Sequence, residues 1–145
     1  LDVFGVDPRG RVCLDVGAST GGFTQVLLAR GAERVYAVDV GHGQLHASLR
    51  HDTRVVMLER VDARALTRSV MPAPPSLVVC DVSFIGAAKV LGVPLSLAAA
   101  EAELIALIKP QFEAGPGSRK RGVLDEAIAL AAADAAMTAL NGVEG

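Results

Sequence analysis

Four ionisable side chains in this sequence stand at the ends of apolar runs. They are Asp15 in "RVCLDV", Asp39 in "RVYAVDV", Asp81 in "SLVVCDV" and Lys109 in "ELIALIKP". If those runs are parallel strands, all four groups fall along one edge of a sheet, three carboxylates beside one ammonium. Such a set can hold a polar ligand through hydrogen bonds, and its lysine can exchange a proton with a bound hydroxyl. A solvated strand end accounts for any one of them alone. Four at one edge, next to a glycine-rich turn, indicate a site.

The turn reads Asp15-Val16-Gly17-Ala18-Ser19-Thr20-Gly21-Gly22, the pattern D-x-G-x-x-x-G-G. It lacks the middle glycine of the dinucleotide fingerprint, since Ser19 stands there, and it has no Gly-Lys-Ser/Thr of a phosphate loop. Gly17 allows a sharp exit from the strand, and Gly21 and Gly22 are expected to leave the backbone bare for a ligand. Asp39 is placed to accept two hydrogen bonds from a ribose diol. Asp62, in "ERVDAR", is placed to meet an adenine amino group, or simply to cap a helical turn. Together these describe an adenosine pocket without a pyrophosphate cradle.

The elements that must position these groups alternate along the chain. "RVCLDV", "RVYAVDV", "RVVMLE", "SLVVCDV" and "ELIALI" are short apolar runs bounded by turns, as buried strands should be. Phe23, Val26, Leu27 and Arg30 follow a helical spacing that stops at Gly31. "HGQLHASLR" predicts a second helix, residues 86–101 a third, and "LDEAIALAAADAAMTALNG" an alanine-rich helix ending on Asn141–Gly142. Strands alternating with helices imply parallel crossovers, hence a three-layer, doubly wound, mostly parallel α/β sheet with ligands at the carboxyl ends of its strands.

Composition narrows the class further. A chain of 145 residues is sized for one domain, and with 3% aromatic residues its core must be built from Val, Leu, Ile and Ala. A net charge of −2 gives no general affinity for nucleic acid. Cys13 and Cys80 sit in apolar runs without metal-site spacing and are expected to be buried free thiols of a cytoplasmic protein. The apolar tract around residues 90–108 is broken by Pro94, Ser96, Glu101 and Glu103, so it reads as a helix and a strand and not as a membrane span. The first ten residues carry no signal-peptide pattern.

The motifs "CLDVGASTGGFT", "VYAVDVGHGQL", "VVCDVSFI" and "LIKPQFEAG" span nearly the whole chain. In combination the sequence resembles class I S-adenosylmethionine-dependent methyltransferases, Rossmann-like in fold. Within them it resembles the FtsJ-like ribose 2′-O-methyltransferases and the haemolysin A (TlyA) family of ribosomal RNA methyltransferases. The resemblance implies S-adenosylmethionine as cofactor, held by Asp15, Gly17, Ala18, Ser19, Thr20, Gly21, Gly22, Phe23, Asp39, Val40, Asp62, Ala63 and Asp81. It implies ribosomal RNA, or a ribosomal subunit, as partner and the 2′-hydroxyl of a cytidine as acceptor. Of the family's Lys-Asp-Lys-Glu catalytic tetrad, two members map here, Asp81 and Lys109. The first lysine and the glutamate have no match, and Glu144 does not fit the glutamate's motif. The expectation is therefore a single methyltransferase domain over residues 1–145, cut at both ends, lacking its last strands and the family's S4 RNA-binding module.

Lesser features complete the reading. "GPGSRKRG", residues 115–122, offers cations for RNA phosphates or is a solvated loop. Phe84 lines the mouth of a nucleobase site or belongs to the core. His42, His46 and His51 are assigned to surface or packing. Two other classes stay open at this point: an NAD-type oxidoreductase, weakened by the missing glycine, and a haemolysin-like membrane-active protein, weakened by the lack of a spanning or basic amphipathic segment.

Overall fold

In a computed structural model the described residues are 1–114, 119–120, 123–124 and 126–141. Five strands form one sheet: β1 (Val12–Val16), β2 (Arg34–Asp39), β3 (Val55–Glu59), β4 (Leu77–Cys80) and β5 (Glu103–Ala106). Their order is β3-β2-β1-β4-β5 and every pairing is parallel. The order reverses between β1 and β4, which makes their carboxyl ends the natural crevice of the sheet.

The central strands are apolar on both faces because both faces are covered. On one side α1 (Gly22–Ala29) and α2 (Ala47–Arg50) bring Leu27, Leu28 and Leu49 against Cys13, Val35 and Val79. On the other, α3 (Ala87–Ser96) brings Val90 and Leu91 against Leu14, Val38 and Cys80, with Leu66 and Met71 beside them. Both thiols are free and fully buried, one on each face, as expected. Two further helices, α4 (Pro110–Glu113) and α5 (Glu126–Asn141), pack on each other, and α5 also packs on α3. The expected three-layer arrangement is the one observed.

Helix α1 ends as its sequence requires. Gly31 takes φ 87°, its N–H bonds Leu28 O, and the Ala32 N–H bonds Leu27 O, the paired closure that a left-handed glycine permits. The buried stripe differs from the expected one: Thr24, Leu27 and Leu28 face the sheet, while Val26 is 41% exposed.

Two helices are shorter than expected. Only Ala47–Arg50 of "HGQLHASLR" is helical, because Gly43 adopts φ 68° and donates its N–H to Glu59 Oε1 at 2.9 Å, bending the chain before Leu45 enters the core. The third stops at Ser96, not at residue 101. The ladder runs through Pro94 as far as the Leu97 N–H, which bonds Val93 O, and beyond it the Ala99 N–H bonds Pro75 O, turning the chain away. Of the basic loop 115–122, Arg119–Lys120 forms strand β6, antiparallel to β7 (Val123–Leu124); the rest of that loop, like Gly142, lies outside the described residues.

At the opposite edge of the sheet, Arg11 donates from Nε to Ser76 Oγ at 3.1 Å and pairs with Glu103, tying the starts of β1, β4 and β5. Among the described residues no helix is long and apolar enough to cross a membrane, and no cluster of His, Cys, Asp and Glu could hold a metal.

Candidate active site

A cleft of about 490 Å³ opens at the carboxyl ends of β1, β2 and β4. Of the residues expected to bind a cofactor, Gly17, Ser19, Asp39, Val40, Asp62, Ala63 and Asp81 line it. Asp15, Ala18, Thr20, Gly21, Gly22 and Phe23 do not, and neither does Lys109. Gln44, Arg64 and Ser83 line it without having been singled out in the sequence.

The glycine turn is held by the strands it joins. The N–H groups of Gly17 and Ala18 both bond Val38 O, at 2.9 and 3.1 Å. Gly17 has φ 81°, and a Cβ there would lie 2.6 Å from the carbonyl oxygen of Asp81, so this position is closed to side chains by the backbone just after β4. Gly21, at φ 99°, corrects the expectation of a bare approach for a ligand. A Cβ there would collide with the side chains of Leu45 and Leu49, so the space it leaves is filled by the protein's own core. Gly22 does face open space, with nothing within 4 Å of an added Cβ.

Asp39 joins the turn to the second loop. Its Oδ2 accepts the Ser19 N–H at 2.8 Å and its Oδ1 the Gly41 N–H at 2.7 Å. These bonds hold Ser19 in its left-handed conformation, φ 49°, and leave further lone pairs on the carboxylate for a ligand.

Asp15 departs from the expected convergence. It is one residue short of the strand end, only 1% exposed, and turned toward α1, where Thr24 Oγ1 donates to its Oδ2 at 2.7 Å. Its Oδ1 is buried without a partner. Burial raises the carboxyl to about 6, against the Thr24 hydrogen bonds that lower it, and the nearby charges of Asp81 and Asp39 add to the rise.

Asp81 and Lys109 do meet. Lys109 Nζ lies 2.5 Å from Asp81 Oδ1, an ion pair outside hydrogen-bond geometry, and donates to Ser83 Oγ at 3.0 Å. Lys109 is the extended N-cap of α4, at φ −112°, as a residue before proline should be. The Asp81 backbone N–H still bonds Val16 O, so the acid is fixed at the end of the central strand pair.

Of the two readings of Asp62, the geometry bears out the cap. It caps the 3₁₀ turn Ala63–Ala65 through the Arg64 N–H, at 2.9 Å, and lines the cleft. Arg64 Nη2 also donates to Oδ2 at 2.6 Å, and this guanidinium holds the carboxyl down at about 2. Phe84 is not a core residue. It is 90% exposed at φ 69°, at the rim of the cleft, with its ring centroid 5.3 Å from that of Phe112. His42 pairs with Glu59 and His46 caps α2, both exposed structural contacts.

Sequence reading missed Ser83 and Glu113, although both stand inside quoted motifs. Ser83 follows Asp81 by two residues, and Glu113 closes "KPQFE". Glu113 Oε1 accepts the N–H of Ala87, at 2.7 Å, at the start of α3. No local signal names that partner, because the contact spans 26 residues.

Against known proteins, the profile of FtsJ-like methyltransferases matches residues 1–141. The chain belongs to the FtsJ-like methyltransferase family. One relative is the 16S/23S rRNA (cytidine-2′-O)-methyltransferase TlyA of Mycobacterium tuberculosis, 54% identical over 117 residues, 81% of this chain and 44% of that protein. Another is Hemolysin A of Brachyspira hyodysenteriae, 44% identical over 120 residues, 82% of this chain and 50% of that one. A solved structure from Lactococcus lactis, also named for haemolysis, superposes with a TM-score of 0.93 at 36% identity, covering 99% of this chain and 70% of that chain. The chain spans about half the length of the two sequence relatives. The five-stranded parallel sheet with flanking helices is the Rossmann-like fold of S-adenosylmethionine-dependent methyltransferases.

Proposed function

We propose that this chain is the methyltransferase domain of an enzyme that binds S-adenosylmethionine in the cleft and methylates the 2′-hydroxyl of a cytidine in ribosomal RNA. The observation that carries the reading is the Lys109–Asp81 pair, 2.5 Å apart, with Asp81 lining a cleft at the reversal point of the sheet. The relatives' activity on ribosomal RNA supports the choice of substrate. With such a partner the protein works in the cytoplasm.

The residues present suit that cofactor. Among the described residues neither Asp15 nor Asp39 has a cation within ion-pair distance, and Asp15 keeps a buried oxygen without a partner. A ligand carrying positive charge would meet Asp39 directly and Asp15 through its field, whereas the pyrophosphate of a dinucleotide would meet repulsion. Asp39, Val40, Asp62 and Ala63 would hold the adenosine end. Gly17, Ser19 and Asp81, which line the cleft, would hold the methionine end, with the buried Asp15 acting on it only through its charge. When bound, S-adenosylmethionine supplies a preactivated methyl group on a sulfonium.

What remains for the protein is alignment and a proton. Asp81 and Ser83 fix Lys109 Nζ, which would face the acceptor hydroxyl; the ammonium first releases a proton to solvent, and the free amine then takes the hydroxyl proton and is again an ammonium. Phe84, at the rim, offers its exposed face to the nucleobase.

Calorimetry with S-adenosylhomocysteine, together with transfer of labelled methyl to ribosomal RNA, tests the reading on the full enzyme. Lys109→Met should leave cofactor affinity within a few-fold while transfer falls about a hundredfold or more. Lost binding with intact turnover of the bound fraction would make Lys109 a binding residue and end the catalytic assignment.

A further inference from the structure

Two segments flank Lys109: the loop 81–86 that leaves β4, and α4. They run side by side and touch at three levels. At the first, Lys109 Nζ meets Asp81 Oδ1 at 2.5 Å and Ser83 Oγ at 3.0 Å. At the second, the rings of Phe84 and Phe112 lie 5.3 Å apart, tilted by 49°. At the third, Glu113 Oε1 accepts the Ala87 N–H at 2.7 Å. Gly86 is the N-cap of α3 and has no side chain to cap with, so Glu113 supplies the missing acceptor from a distant segment. The fit is close: a Cβ on Gly86 would meet Glu113 Oε2, so the carboxylate must move to admit it, although φ −68° at Gly86 suits any residue.

Glu113 is also bound to Lys109 through the backbone. The N–H groups of Phe112 and Glu113 both bond Lys109 O, at 2.8 and 3.3 Å. A four-residue turn is unstable alone, so α4 depends on tertiary anchors, which include its packing on α5 and the Glu113–Ala87 bond. The bond that anchors Glu113 therefore helps to anchor the turn that Lys109 caps.

We propose that Glu113 is a positioning residue, which fixes the Lys109 ammonium against Asp81 and Ser83 by docking α4 onto the start of α3. The proposal rests on the methyl-transfer reading for its catalytic consequence, while the docking itself does not. A displacement of about 1 Å at a catalytic group can cost a hundredfold in rate.

The test uses Glu113→Ala and Gly86→Ala, which break the same contact from its two sides. Each should lower kcat about tenfold or more. Affinity for S-adenosylhomocysteine should stay within about threefold, because neither residue lines the cleft. Glu113→Gln keeps an acceptor oxygen and should restore most of the rate. The double variant should be no worse than either single one, as expected for two halves of one interaction.

A second readout needs no activity. Reductive methylation of Lys109 with formaldehyde and cyanoborohydride, followed by mass spectrometry, should speed up several-fold in Glu113→Ala and Gly86→Ala but not in Glu113→Gln. The exposed Lys89 serves as internal standard. A parent protein that transfers no methyl group would remove the functional reading and leave lysine labelling to decide the docking. Parental Lys109 labelling in folded variants would overturn the proposal, as would activity that falls only in step with the folded fraction.

Discussion

Asp15 carries the sharpest conflict between stability and use. Its carboxyl is raised to about 6 mainly by burial, while an unfolded chain would lose the same proton near 3.8. Between those values the folded state holds a proton that the unfolded state has released, so stability falls as pH rises through this window. Above it the full penalty applies, up to about 3 kcal/mol for a shift of this size. Asp15→Asn keeps the shape without the charge. It should match the parent in urea unfolding near pH 4 and exceed it by up to about 3 kcal/mol at pH 8, while binding S-adenosylhomocysteine more weakly. A constant gap across that pH range would place the cost elsewhere. The sequence shows an acid after an apolar run, and so marks Asp15, Asp39 and Asp81 as special. It does not show that Asp15 stops one residue short and turns to the α1 face, because pleat direction is decided by which neighbours cover each side.

At the scale of elements, the glycines of the turn separate into different roles. Gly17 is excluded from having a side chain by the Asp81 backbone and by its positive φ, Gly21 by Leu45 and Leu49, and Gly22 by nothing within 4 Å. Gly17→Ala should therefore cost more than about 1–2 kcal/mol in thermal unfolding, since it adds a backbone clash to the usual left-handed strain. Gly22→Ala, in the first turn of α1, should be neutral or stabilise by up to about 1 kcal/mol. Any loss of cofactor affinity in that variant then reports the ligand alone. Equal destabilisation by both would contradict the packing described above. Strands and the end of α1 were legible because β-branched runs and a C-terminal glycine act locally. The start of α2 was not, since Gly43 bends the chain to reach Glu59, a partner 16 residues away.

For the whole molecule, alternation of strands and helices announced a doubly wound sheet, and the observed order puts Asp81 at its reversal point. The two edges divide the work: Arg11, Ser76 and Glu103 bind the strand starts together, and the strand ends carry the site. What alternation could not show is the long-range capping of α3 by Glu113, which depends on how two loops meet in space.

The two buried thiols follow from the same layering. Cys13 lies under α1 and α2, Cys80 under α3, and burial lifts them to about 11 and about 12. Neither should react with iodoacetamide in the native protein at pH 8, and both should react in denaturant. Each sulfur therefore acts as a timer for the lifting of one helical layer. Equal alkylation rates under mild urea would mean that both layers open in a single event. Faster capture of Cys80 would mean that the layer stapled by Glu113 detaches first, with Lys109, while the turn over β1 stays closed.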